Sequence, residues 1–140
     1  MADLVDVTTG AGKFKTLVNA LTATELLDIL KSPGPFTVLA PTDDAFAHLP
    51  EGTLNALLLD LPKLKRILMY HILPGDVRSD DLAQIDEAPT EEGSIVAVAQ
   101  SNGTATINDA QVIQTDLLAD NGVVHVIDAV LIPAMLENNL

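Results

Sequence analysis

The apolar residues of this chain keep a helical spacing as far as Tyr70 and a strand-like spacing after Pro74-Gly75. That single change of period limits the fold more than any motif does. Phe14, Leu17, Val18 and Leu21 fall at i, i+3, i+4 and i+7, the spacing of one helix face. Leu26, Leu27 and Leu30 mark a second helix, which must stop before Ser32-Pro33-Gly34-Pro35 because proline removes a backbone donor and disfavours helix just ahead of it. Phe36–Ala40 is a short apolar run of strand formers bounded by Pro35 and Pro41 and predicts one buried strand. Thr42-Asp43-Asp44 then predicts a helix start, with Thr42 as cap and both carboxylates at the positive end of the dipole. Further helices are expected over Thr53–Leu58 and Pro62–Tyr70, with Asp60 ahead of Pro62 at the first helical position. Leu64, Ile67, Leu68 and His71 share a face of the last one.

Beyond Gly75 the pattern is of strands. Ser94–Gln100 and Thr104–Ile107 flank Ser101-Asn102-Gly103, a strong hairpin signal. A turn at Asn108-Asp109 precedes a strand over Ala110–Thr115, and Val123–Ile127 and Ala129–Ile132 predict two more. Asp80–Glu92, rich in carboxylates, is expected to be a solvated surface excursion. Helices first and strands afterwards indicate an α+β fold, with N-terminal helices packed on mostly C-terminal β-sheets, and residues 1–140 are expected to form a single domain.

Charge and composition exclude several functions. Twenty acidic residues against 7 basic ones, a net charge of −13, are incompatible with an ordinary nucleic-acid interface and disfavour attachment to anionic lipid. The same repulsion between like copies predicts a monomer at low salt. With no cysteine there can be no disulfide, thiolate metal site or cysteine nucleophile. No run approaches the ~18 apolar residues that a transmembrane helix needs. Met1-Ala2-Asp3 opens without a basic and then apolar leader, as expected either of a cytosolic protein or of a mature chain whose leader has been removed.

Candidate chemistry is sparse. Gly10-Ala11-Gly12-Lys13 echoes a phosphate loop, but Val7 stands where its first glycine belongs and Phe14 where its Mg²⁺-holding Ser or Thr belongs. His48, His71 and His125 are too far apart in sequence to suggest a local metal or catalytic set, and a hydrolase would need two of them to converge on a hydroxyl or carboxylate. The acidic pairs Asp43-Asp44, Asp80-Asp81, Asp86-Glu87 and Glu91-Glu92 lack the alternation and glycine of a calcium loop, which leaves at most weak surface Ca²⁺ binding. Asn102-Gly103-Thr104 matches a glycosylation sequon, but the hairpin accounts for the same residues. No cofactor is expected.

Phe36–Phe46, reading FTVLAPTDDAF, closely resembles the first signature of the fasciclin domain family, and Asn121–Pro133, NGVVHVIDAVLIP, matches the second. Between them Tyr70-His71-Ile72-Leu73-Pro74-Gly75 is similar to the family's central Tyr-His segment. Three segments in order, over nearly the whole chain, make the resemblance specific. It implies a compact wedge of helices on two small sheets. It also implies a non-enzymatic adhesion module at a cell surface or in an extracellular layer, contacting a surface or matrix protein. Recognition in animal members is attributed to the Tyr-His segment and to an Asp-Ile pair, positions held here by Tyr70, His71, Asp116 and Leu117. Leu117 departs from the isoleucine. On physical grounds Asp116 and Leu117 are expected to lie exposed on a turn, and Tyr70 and His71 to be buried at the end of an apolar helix face. The alternative function is a carrier holding a small molecule or lipid in an apolar pocket.

Overall fold

The computed structural model describes residues 3–10, 12–49, 52–101, 104–108 and 110–131. Seven helices and seven strands lie along these residues, most of the helices before most of the strands. Helices α1 (Leu4–Gly10), α2 (Lys15–Ala23) and α3 (Leu27–Lys31) lead into strand β1 (Phe36–Pro41). Helices α4 (Asp43–Ala47), α5 (Thr53–Leu58) and α6 (Leu61–Met69) follow, then β2 (Ile72–Pro74). Helix α7 (Ser79–Leu82) and strands β3 (Glu87–Pro89), β4 (Ile95–Ser101), β5 (Thr104–Ile107), β6 (Ala110–Ala119) and β7 (Gly122–Ile127) complete the order.

The local signals act as the sequence suggests. Thr42 Oγ1 accepts the Ala45 amide at the start of α4 (3.1 Å), and Asp60 Oδ1 accepts the Lys63 amide at the start of α6 (3.3 Å). Because α6 opens at Leu61, Pro62 occupies its second position, not its first. Strands β4 and β5 pair Gln100 with Ala105 and, as the last described pair, Ser101 with Thr104; Asn102 and Gly103, with the turn of the expected hairpin and the sequon, lie outside the described residues.

The α+β class holds, but the strands do not separate into two sheets. They form one continuous order, β2-β1-β7-β6-β5-β4-β3, in which β1 and β7 are parallel neighbours and the other pairs antiparallel. The order bends instead of dividing. Register breaks in β6 between Val112 and Gln114 and between Gln114 and Leu117 provide the bend. The outer strands then approach each other, the Glu91 amide just past β3 donating to Ile72 O in β2 (2.8 Å).

Two apolar clusters follow from this curl. Val38, Ala40, Val124 and Val126 point from β1 and β7 toward the helices, meeting Phe14, Leu17, Leu30, Phe46, Leu64 and Ile67. Leu39 and Ile127, on the opposite face, join Tyr70, Leu73, Leu82, Val96, Val98 and Ile107 inside the curl. Strands β1 and β7 are therefore buried on both faces, as parallel central strands are.

Three expectations need correction. Asp80–Glu92 is not merely a solvated excursion, because Leu82, Ala88 and Thr90 are buried and the segment supplies part of α7 and all of β3. The strand expected at Ala129–Ile132 does not form over its described part, 129–131. There the Leu131 amide bonds a side chain, His71, and so has no strand partner. Strand β6 runs on to Ala119, well past Thr115.

Candidate functional site

Tyr70 and His71 close α6, and the same face that buries Leu64, Ile67 and Leu68 carries His71 inward. His71 is 2% exposed. Its Nδ1–H donates to Ile67 O (2.8 Å) and its Nε2 accepts the Leu131 amide (2.8 Å). Burial lowers its pKa from 6.5 to about 4, against a smaller upward pull from the Ile67 carbonyl, so the ring is neutral at physiological pH. The Tyr70 hydroxyl donates to Ile95 O (3.1 Å) and accepts from Asn108 Nδ2 (3.1 Å), tying α6 to the far strands of the curl. Both residues are buried, as the helix periodicity requires.

Asp116 and Leu117 are not on a turn. Asp116 sits inside β6 at the second register break, with φ +59°, a left-handed conformation that Asp tolerates better than most residues. This kink lets β6 continue to Ala119 and moves the turn to Asp120-Asn121. Half-buried, the Asp116 carboxylate accepts the Ser79 hydroxyl (2.5 Å) and the Ser79 amide (3.0 Å) at the first turn of α7. The Ser79 hydroxyl is the main influence holding the Asp116 carboxyl below its ordinary value, against partial desolvation. Leu117 is half-buried, paired with Val124 and packed on the helix-side cluster.

A clamp emerges that no single motif announces. The strap Gly75–Ser79, which joins β2 to α7, is gripped by side chains from three adjacent strands. Thr37 of β1 donates to Gly75 O and accepts the Val77 amide, both at 2.8 Å. His125 of β7, fully buried, donates from Nε2 to Val77 O (2.6 Å) while its Nδ1 accepts the Asp116 amide (3.3 Å). Asp116 of β6 holds Ser79. Leu39 and His125 are register partners, as are Thr37 and Val123, so Thr37 and His125 share one face of the parallel pair.

A second anchor was hidden in a turn signal. Asn121 Oδ1 accepts the Leu4 amide (2.9 Å), and its Nδ2 donates to Leu30 O (2.6 Å) and Ser32 O (2.7 Å). Its own backbone carbonyl accepts the Phe36 amide (3.0 Å), so this one residue joins α1 and α3 through its side chain and the start of β1 through its backbone. Gly122 lies against β1 so closely that a Cβ there would collide with the Phe36 carbonyl.

The chemistry this arrangement offers is structural. The two buried imidazoles contact backbone groups, while the Ser79 hydroxyl meets a carboxylate and not an imidazole. His48 is exposed at the end of α4. Among the described residues no three His, Asp or Glu side chains group as metal ligands. Asp43 Oδ1 accepts the Thr16 amide (2.8 Å) and its own amide donates to Lys13 O (2.9 Å). Lys13 Nζ reaches Gln114 (3.0 Å), so this lysine is engaged within the fold. A cleft of about 320 Å³ beside α1 and α2, with Phe14, Lys15 and Val18 in its wall, is open to solvent and not enclosed. No helix among the described residues is long and apolar enough to cross a membrane.

Comparison with known proteins agrees with this geometry. A family model described as the fasciclin domain matches residues 12–133. An uncharacterised protein of Synechocystis sp., sll1735, is 45% identical over 132 residues, covering 94% of this chain and 98% of that protein. The pig transforming growth factor-beta-induced protein ig-h3 is 35% identical over 133 residues, which are 95% of this chain but only 20% of the larger protein. Among solved structures, a FAS1 domain pair from the insect cell adhesion molecule fasciclin I superposes with a TM-score of 0.69 at 27% identity, over 89% of this chain and 47% of that one.

Proposed function

The chain belongs to the fasciclin domain family, and on that premise we propose that it is a non-catalytic adhesion or interaction domain. It acts at a cell surface or in an extracellular layer on a surface or matrix protein, as a single monomeric unit spanning residues 1–140. The observation that carries this reading is the likeness, over most of the chain, to a domain pair of a cell adhesion molecule. The engagement of every buried imidazole and of Ser79 by structural partners supports it too.

Tyr70, His71 and Asp116 act in this reading as supports, not as contacts, since their polar atoms are already bonded within the fold. Leu117 packs on the helix-side cluster. Of these, Asp116 supports, together with Thr37 and His125, the Gly75–Ser79 strap, whose Asp76 and Arg78 side chains are exposed and pair with each other (3.0 Å). The partner surface includes this strap, an ordered loop on a rigid sheet.

Adhesion of producing cells or their envelope fractions to immobilised protein tests the reading. Retention that is weakened by Asp116→Ala and by Arg78→Ala is expected. Absence of retention by any such fraction, with the protein folded, would remove the case for adhesion.

A further inference from the structure

Where the chain leaves β7, its hold on the fold changes. Asp128 is still tied to the sheet, its amide donating to Gln111 O (3.1 Å) and its Oδ1 accepting the Gln111 amide (2.8 Å). Beyond it, residues 129–131 join no strand, and among the described residues their one hydrogen bond runs from the Leu131 amide to His71 Nε2 (2.8 Å). Their side chains meanwhile touch both apolar clusters. Val130 packs on the helix-side cluster, Ala129 packs on the curl cluster, and Leu131, 3% exposed, belongs to the latter. A segment that touches both clusters is thus fastened by a single bond, and the acceptor of that bond is a titratable ring. Because His71 Nδ1 donates to Ile67 O, Nε2 is an acceptor only while the ring is neutral; a second proton would set a donor against a donor.

We propose that residues 129–131 form a proton-operated latch, closed by neutral His71 and freed by a proton on its Nε2 while the seven-stranded sheet stays folded. Among the described residues no charged side chain competes for the ring. On α6, Lys65 and Arg66 are exposed on other faces and Lys63 lies two turns away; β1 and β2 carry no charge; Asp128 is held by Gln111. The neighbouring Tyr70 hydroxyl is spent on Ile95 and Asn108, and His125 is turned to Val77. Burial and the Ile67 carbonyl alone set the titration of the closed ring, at about 4. Opening takes Leu131 out of the curl cluster and lets water reach the ring, whose ordinary value is 6.5. Between pH 8 and pH 5 the open population therefore rises about thirtyfold. It breaks no ladder pair, so it lies well below global unfolding in free energy. This latch does not depend on the strap proposed for adhesion, and either can fail without the other.

The test is native-state hydrogen exchange of the full chain, read amide by amide by NMR in a series of low urea concentrations at pH 8 and pH 5. The Leu131 amide should exchange through an opening that urea leaves unchanged. After correction for intrinsic exchange rates, that opening should be about thirtyfold more frequent at pH 5. Val124 and Val126, in the central ladder, should exchange only through openings that urea promotes. His71→Gln keeps an acceptor for the Leu131 N–H without a titrating ring, so its Leu131 protection should be equal at the two pH values. A Leu131 opening that tracks Val126 in urea would overturn the proposal, since the segment would then open only with the whole fold. A urea-independent opening indifferent to pH would overturn it as well. Both results are read on the wild-type chain, so the test stands even if His71→Gln does not fold.

Discussion

Lowering the pH should destabilise this protein through His71, and the sign follows from burial. The folded state holds the imidazole neutral with a pKa of about 4, whereas the unfolded chain titrates at 6.5. Below 6.5 the unfolded state therefore binds more protons, so stability is complete above that value and falls as the pH drops toward 4. With these two values, linkage gives a loss of about 2 kcal/mol between pH 8 and pH 5. His71→Gln isolates the effect, because an amide oxygen can still accept the Leu131 N–H but does not titrate. His71→Ala strands that buried amide and leaves a void where the ring was, at a cost of about 2–4 kcal/mol. The Ile67 carbonyl keeps the Tyr70 amide as partner (3.1 Å) and adds nothing to the loss. Urea melts of the three proteins at both pH values decide the matter. A wild type equally stable at pH 5 and pH 8, or a His71→Gln variant with the same acid loss, would refute the reasoning.

Asp116→Ala should cost about 1–3 kcal/mol in urea melts, because it removes a carboxylate that accepts two hydrogen bonds at α7; a change below 0.5 kcal/mol would return Asp116 to the surface role expected from sequence. Its depressed carboxyl contributes stability that is present above the unfolded pKa and lost as pH falls through the lower folded one, so Asp116→Asn should flatten the acid limb below about pH 4. Asn121→Ala should cost about 2–4 kcal/mol by thermal or chemical melting, since the Leu4 amide and the Leu30 and Ser32 carbonyls lose their partner together. Gly122→Ala should cost about 3 kcal/mol or fail to fold, as its methyl would push β7 away from β1; a stable Gly122→Ala protein with native circular dichroism would contradict the tight approach.

What was legible in the sequence was whatever a few consecutive residues decide. The helix faces of α2 and α6, the caps at Thr42 and Asp60, and the strand between Pro35 and Pro41 depend on spacing and local hydrogen bonds. The burial of Tyr70 and His71 followed from the same face. Strands β2 and β3, with three residues each, exist only through their ladders to β1 and β4, and carry too little pattern to announce themselves. The carboxylates of 80–92 concealed the spaced Leu82, Ala88 and Thr90 that the curl buries. Asp116 misled for a related reason. Asp favours turns because it tolerates a left-handed backbone, and here that conformation makes a bulge within a strand.

The polar residues of the central strands show where sequence could point without naming a partner. Thr37 and His125 lie in runs that must be buried on both faces, and a buried polar side chain must be hydrogen-bonded. That requirement is readable from FTVLAP and GVVHVI alone. The partners are not, because Val77 lies 40 residues from Thr37 and 48 from His125. The bonds also assign the two buried histidines opposite tautomers. His71 donates from Nδ1 and accepts at Nε2, while His125 donates from Nε2 and accepts at Nδ1. Each ring thus joins one carbonyl to one amide on a different segment, a task a neutral imidazole performs and a charged one, with two donors, cannot. Both buried histidines therefore serve as crosslinks of the backbone, and protonation of His71 would release the segment whose amide it accepts.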